Sequence, residues 1–111
     1  MQSTLVRPQM TIVEPSGYVN ASNAVEFQGQ LAKAVSSPGL SIVLVDMEQV
    51  EYIDSAGLMA LVSALNLAQS LQRRFSICSV SPSVKMIFEL TQLDRVFEIF
   101  ENRDAFEATI A

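Results

Sequence analysis

The sequence predicts an α/β fold in which one domain, residues 1–111, packs a mixed β-sheet of four to five strands against about four helices. Three observations lead there. β-rich apolar runs, Ile42 to Val45 and Phe75 to Val80, alternate with stretches of helical period, and that alternation implies parallel crossover units. Short extended pieces at the start look hairpin-like, which makes the sheet mixed. A chain of 111 residues can bury one compact core and is too short for two.

The elements follow in order. Thr4 to Arg7 and Met10 to Glu14 read as strands, with Pro8 confining the first to an edge, and Pro15-Ser16-Gly17 turns the chain into a further extended piece at Tyr18-Val19. Asn20, Ser22 and Asn23 are cap candidates for a first helix. Glu26 stands three residues after Asn23 as in a capping box, and Phe27, Leu31, Ala34 and Val35 form the apolar stripe. Gly29 inside that helix costs about 1 kcal/mol relative to alanine. Ser36-Ser37-Pro38-Gly39 ends it.

Ser41 to Met47 is a central strand covered on both faces, because its apolar run is unbroken. From Ser55 to about Arg73 the period changes, and Leu58, Leu61, Val62, Leu65 and Ala68 share one side of a second helix. Phe75 to Val80 is the next strand. Ser81 caps and Pro82 begins the third helix, which carries Val84, Ile87, Phe88 and Thr91. Val96 to Phe100 is an edge strand, and Asn102 caps a last helix that turns Phe106 and Ile110 inward.

Composition narrows the function. The chain has no histidine, which removes the usual general base and the commonest zinc ligand, so self-contained catalysis is hard to build and the protein is not read as an enzyme. Twelve acidic and seven basic residues give a net charge of -5, a poor match for nucleic acid or anionic membranes. No apolar run approaches a membrane span and Met1 to Leu5 does not resemble a secretory signal, so the expected address is cytoplasmic. The single cysteine, Cys78, lies in an apolar run and reads as a packing residue. Neither a cofactor nor a metal is expected. Asp46, Glu48, Glu51 and Asp54 are close in sequence but read as solvated acids, and Lys85 with Glu89 reads as a surface ion pair. No glycine-rich phosphate loop is present, so ATP would arrive bound to another protein.

Glu51-Tyr52-Ile53-Asp54-Ser55-Ala56-Gly57-Leu58 carries the most chemistry. Small and acidic residues there join a β-rich run to a long helix, at a junction expected to be exposed. Ser55 can serve as a plain helix cap. The same place suits a phosphate, because helix N-terminal amides favour negative charge, and Ala56 and Gly57 leave room for another molecule's backbone. On the helix, Met59, Ser63 and Asn66 lie away from the Leu58-Leu61-Leu65 stripe, which exposes Met59 either for a partner or as a single solvent-facing apolar residue.

This stretch resembles the phosphorylation motif of the STAS family, the anti-sigma-factor antagonists of bacteria, in which Asp-Ser-x-Gly opens the second helix. Gly17-Tyr18-Val19-Asn20 is similar to the family's Gly-x-Leu-Asp turn, Ile42 to Asp46 to the strand before the motif, and Cys78 to Phe88 to the strand and third-helix start. The resemblance implies a STAS-like fold and a partner-switching cycle. An anti-sigma factor that is also a serine kinase binds the unmodified protein and phosphorylates it, which ends the binding, and a PP2C-type phosphatase resets it. By position it makes Ser55 the phosphoacceptor, Asp54 its flanking acid, Gly57 the close-approach residue and Asn20 to Asn23 the neighbouring wall. The partner surface is then Asn20, Ser22, Asn23, Asp54, Ser55, Ala56, Gly57, Met59 and Ser63. Asn20 replaces an aspartate of many members, so it cannot orient a donor by charge. Two other roles fit the same resemblance: a STAS-type adaptor subunit of a lipid-transport ATPase complex, and a module binding a small molecule or anion at the helix start.

Overall fold

The structure is a computed structural model that describes residues 9–110. In chain order the elements are β1 (Met10–Val13), β2 (Gly17–Val19), α1 (Ala24–Ser36), β3 (Ile42–Asp46), β4 (Val50–Ile53), α2 (Ser55–Ser70), β5 (Arg74–Cys78), α3 (Pro82–Leu90), a 3-10 turn (Leu93–Arg95), β6 (Glu98–Phe100) and α4 (Arg103–Glu107). This is the α/β architecture with four helices that the alternation of periods predicts.

Four strands form the main sheet in the order β1-β3-β5-β6, and β2 pairs with β4 in a separate two-stranded sheet. Every described pairing is parallel. The opening pieces Met10 to Glu14 and Tyr18-Val19 do not pair as a hairpin but join β3 and β4 in separate sheets, and the expected strand Thr4 to Arg7 lies outside the described residues. Strand β3 is buried at all its positions, as its unbroken apolar run requires.

The main sheet has two unequal faces. Val43, Val45, Phe75 and Ile77 point into the larger core with Phe27, Leu31 and Val35 of α1, Leu58, Leu61 and Leu65 of α2, and Val84 and Phe88 of α3. On the other face Ile42, Leu44 and Cys78 meet Phe106 of α4, with Ile110 packed alongside. Arg74 lies over the Phe106 ring, 4.7 Å from its centroid, and pairs with Glu98 at 2.7 Å. Its hydrogen bonds hold the Glu98 carboxyl below the usual carboxylate range. Cys78 is buried as expected, and burial pushes its thiol up in pKa, away from reactivity.

Most local signals hold. Ser81 accepts a hydrogen bond from the Val84 amide with Pro82 in the first turn of α3, and Asn102 accepts one from the Ala105 amide at the start of α4. Other expectations are corrected. Helix α2 stops at Ser70 rather than near Arg73, because Gln72 takes a positive φ of 59° and the Arg73 amide turns back to the Ala68 carbonyl at 2.8 Å. Strand β6 begins only at Glu98, since residues 93–95 form a 3-10 turn. Strand β4 was not anticipated at all. Lys85 and Glu89 do not pair; the ion pairs among the described residues are Arg74–Glu98, Arg103–Glu14 and Arg103–Asp46. No described helix is long and apolar enough to cross a membrane.

Candidate functional site

The small sheet builds the site. Strands β2 and β4 run parallel with Val19 opposite Ile53, so the segments that follow, residues 20–23 and 54–57, leave the sheet side by side. Each segment then starts a helix, and α1 and α2 pack against each other through the larger core. Two junctions far apart in sequence thereby become neighbouring walls.

Asp54, not Ser55, caps α2. Its backbone is extended, its Oδ1 accepts from the Gly57 amide at 3.1 Å and its carbonyl accepts from the Leu58 amide at 2.9 Å. This corrects the plain-cap reading of Ser55. Ser55 is instead the first helical residue; its side chain is exposed and its hydroxyl has no hydrogen-bond partner among the described residues. The Ser55 and Ala56 amides likewise have no partner there, as the first turn of a helix leaves them. Asp54 also reaches across the junction: its amide donates to the Val19 carbonyl at 3.1 Å, and its Oδ2 accepts from the Ala21 amide at 3.2 Å.

Gly57 is a close-approach residue, but the neighbour it admits belongs to its own chain. A Cβ at this position would stand 2.6 Å from Ile53 Cγ1, 2.8 Å from Val19 Cγ1 and 3.0 Å from the Val19 carbonyl oxygen. The expectation that Gly57 leaves room for another molecule's backbone is therefore corrected: the residue is buried, and its missing side chain lets α2 sit on the ends of β2 and β4. Ala56 is half-buried.

In the facing wall the asparagines fold the loop onto itself. Asn20 Oδ1 accepts from the Ser22 amide at 3.0 Å and from the Ser22 hydroxyl at 2.6 Å. Asn23 Oδ1 accepts from the Asn20 amide at 2.9 Å, while its Nδ2 donates to the Tyr18 carbonyl at 2.8 Å. The Asn23 side chain is thus spent on the loop and makes no cap bond to α1, so the expected capping box with Glu26 does not form.

The outer side of α2 continues from Ser55. Met59 is 58% exposed, Ser63 is half-buried and Asn66 is exposed. Four-residue steps put Ser55, Met59 and Ser63 on one helix face. Two exposed aromatics that the sequence reading passed over, Tyr18 and Tyr52, lie opposite each other on β2 and β4, with ring centroids 6.3 Å apart. Their signal was available only with the pairing of β4, because alternation is imperfect in Val50-Glu51-Tyr52-Ile53. Ala21 was also missed; it takes part through a backbone amide, which no side-chain pattern reveals.

The acids do not gather. Asp46 is 5% exposed and pairs with Arg103 at 2.7 Å, which corrects its reading as a solvated acid. No three histidine, cysteine or carboxylate side chains come together as metal ligands among the described residues. A cleft of about 230 Å³ beside the loop is lined in part by Glu14 and Glu26, a poor setting for an anion.

Residues 2–106 match the family model described as STAS domain. Over 99 residues the chain is 29% identical to BtrV of Bordetella bronchiseptica, a protein named as an anti-sigma factor antagonist, with 89% of this chain and 84% of the relative covered. A crystal structure from Thermotoga maritima, also named as an anti-sigma factor antagonist, superposes with a TM-score of 0.82 at 23% identity, covering 91% of this chain and 86% of that one. The unphosphorylated form of the anti-sigma factor antagonist SpoIIAA superposes with a TM-score of 0.75 at 14% identity, covering 97% of this chain and 94% of that one. At these identities the two structures speak to the fold.

Proposed function

The chain belongs to the STAS domain family, and from that premise we propose that it is a cytoplasmic anti-sigma-factor antagonist switched by phosphorylation of Ser55. The observation that carries this reading is the Ser55 hydroxyl: exposed, free of hydrogen bonds among the described residues, and set at the start of a long helix whose cap is supplied by the residue before it. The helix does not need the oxygen, so it is free for chemistry.

Unmodified, the protein presents the 20–23 wall, Ser55 and Met59 to an anti-sigma factor that is also a serine kinase. The kinase brings ATP. The Ser55 oxygen bonds to the terminal phosphorus as the bond to ADP breaks, and the hydroxyl proton passes to a base of the kinase. The product carries about -1.5 to -2 additional charge on an already acidic surface. Open amides at the α2 start suit that charge within the fold, whereas a partner complementary to the neutral serine meets bulk and repulsion. A PP2C-type phosphatase would hydrolyse the ester and restore binding.

Mass spectrometry after incubation with host lysate and ATP tests this directly, with phosphate expected on Ser55. Ser55→Ala should lose the label and keep the kinase partner in co-purification, while Ser55→Asp should bind it more weakly. Equal labelling of the alanine variant would overturn the assignment.

A further inference from the structure

We propose that Asp54 is a positioning residue of the Ser55 switch: its carboxylate fastens the 20–23 loop to the start of α2 so that two separate junctions form one rigid surface. The inference rests on the reading of Ser55 as phosphoacceptor, and it assigns the acid beside it a role different from contact with the partner. Both Asp54 oxygens are committed within the chain, Oδ1 to the Gly57 amide at 3.1 Å and Oδ2 to the Ala21 amide at 3.2 Å. Its backbone amide is committed too, to the Val19 carbonyl.

The loop has no other side-chain tie to α2 among the described hydrogen bonds. Asn20, Ser22 and Asn23 bond to one another and to Tyr18, which shapes the loop between β2 and α1 but does not tie it to α2. The Ala21 amide is the one loop donor aimed at the α2 junction. A carboxylate suits this position better than the other good cap residues. Serine or threonine can satisfy Gly57 but is too short to reach a second donor, and an asparagine offers one acceptor oxygen instead of two. Asp54 leaves the Ser55 and Ala56 amides untouched, so the clamp and an added phosphate draw on different donors.

Two variants cut the clamp from opposite ends. Asp54→Ser retains a capping oxygen for Gly57 and loses the reach to Ala21; Ala21→Pro removes the donor and leaves the carboxylate and its charge in place. Amide hydrogen exchange followed by NMR is the first readout. In Asp54→Ser the Ala21 amide should exchange roughly tenfold faster, the factor expected for one charge-assisted hydrogen bond, while amides of α2 beyond Ala60 stay as in the wild type. In Ala21→Pro the Asn20 and Ser22 amides should loosen similarly.

The second readout is the initial rate of Ser55 phosphorylation in host lysate with ATP. Both variants should be labelled several-fold more slowly, and the double variant no more slowly than Asp54→Ser. Asn102→Ala, which removes the cap of the distant α4, should lower the melting temperature and leave both readouts unchanged. Wild-type exchange at Ala21 in Asp54→Ser overturns the clamp. Normal labelling of Ala21→Pro beside slow labelling of Asp54→Ser also overturns it, since the acid would then be read by the kinase itself. If Ala21→Pro does not fold, Asp54→Asn, which retains one acceptor oxygen, takes its place and should loosen Ala21 or Gly57 but not both. Absence of phosphate on wild-type Ser55 would sink the switch reading, and the exchange measurement would still decide whether Asp54 holds the loop.

Discussion

Helices α1 and α2 start side by side, α1 after the 20–23 loop that follows β2 and α2 directly after Asp54 at the end of β4, yet they are held in different ways. At α1 the preceding Asn23 gives its side chain to the loop, and the helix start is fixed by burial of Ala24 and Phe27. At α2 the start is fixed by specific bonds and close packing: Asp54 caps, bridges to Ala21 and bonds to Val19, and Gly57 lies where no Cβ fits. The glycines show the contrast most directly. Gly29 in α1 is exposed with open space around its Cβ position, whereas Gly57 is enclosed by Val19 and Ile53. A helix that only covers the core tolerates loose definition at its start. At α2 the bonds of Asp54 and the close packing of Gly57 leave the start no such latitude.

The largest expected effect separates the two glycines. Gly57→Ala should destabilise the fold by about 1–3 kcal/mol in urea denaturation, towards the upper end because one of the obstructing atoms is the Val19 carbonyl oxygen, which cannot rotate away. The damage should centre on the β2–β4 pair, seen as faster amide exchange at Val19 and Ile53. Wild-type stability for this variant would mean that the close packing of α2 on the small sheet does not fix the junction.

The same contrast explains what could be read beforehand. Features fixed by one local rule were legible: β3 from an unbroken apolar run, α2 from its stripe, the starts of α3 and α4 from Ser81-Pro82 and Asn102, and the burial of Cys78. The role proposed for Ser55 comes from family resemblance rather than from periodicity. Features that depend on a distant partner were not legible. Val50–Ile53 becomes a strand only because β2 supplies its ladder, and its buried-exposed-exposed-buried pattern has a helical spacing and lacks the alternation of a strand. Asp54 and Ser55 are both good caps in adjacent places, so sequence could not decide between them; the reach to Ala21 across 33 positions decides it. The same limit applies to Asn23, whose helix lost the competition for its side chain to Tyr18 and Asn20.

The smaller, opposite effect tests the looser helix. Gly29→Ala should stabilise by about 0.5–1 kcal/mol, because alanine loses less backbone freedom on folding and its methyl enters open space. Denaturation midpoints of Gly29→Ala and Gly57→Ala should therefore move in opposite directions. Loss of stability at Gly29 would show that α1 has a packing constraint of its own, and the contrast between the helices would narrow.

The smallest effect is the most informative about Ser55. A residue that caps a helix typically costs about 0.5–2 kcal/mol when replaced by alanine, and that cost is expected at Asp54, where the cap bond is made. Ser55→Ala should change stability by no more than about 0.5 kcal/mol, since the hydroxyl is exposed and has no partner among the described residues, and alanine is the better helix former. A near-zero value means that the fold gains nothing from the oxygen, which leaves its position at the α2 start to be explained by what reacts with it. A loss of 1 kcal/mol or more would return Ser55 to the role of a structural cap. The reason for placing a modifiable hydroxyl there would then have to come from labelling alone.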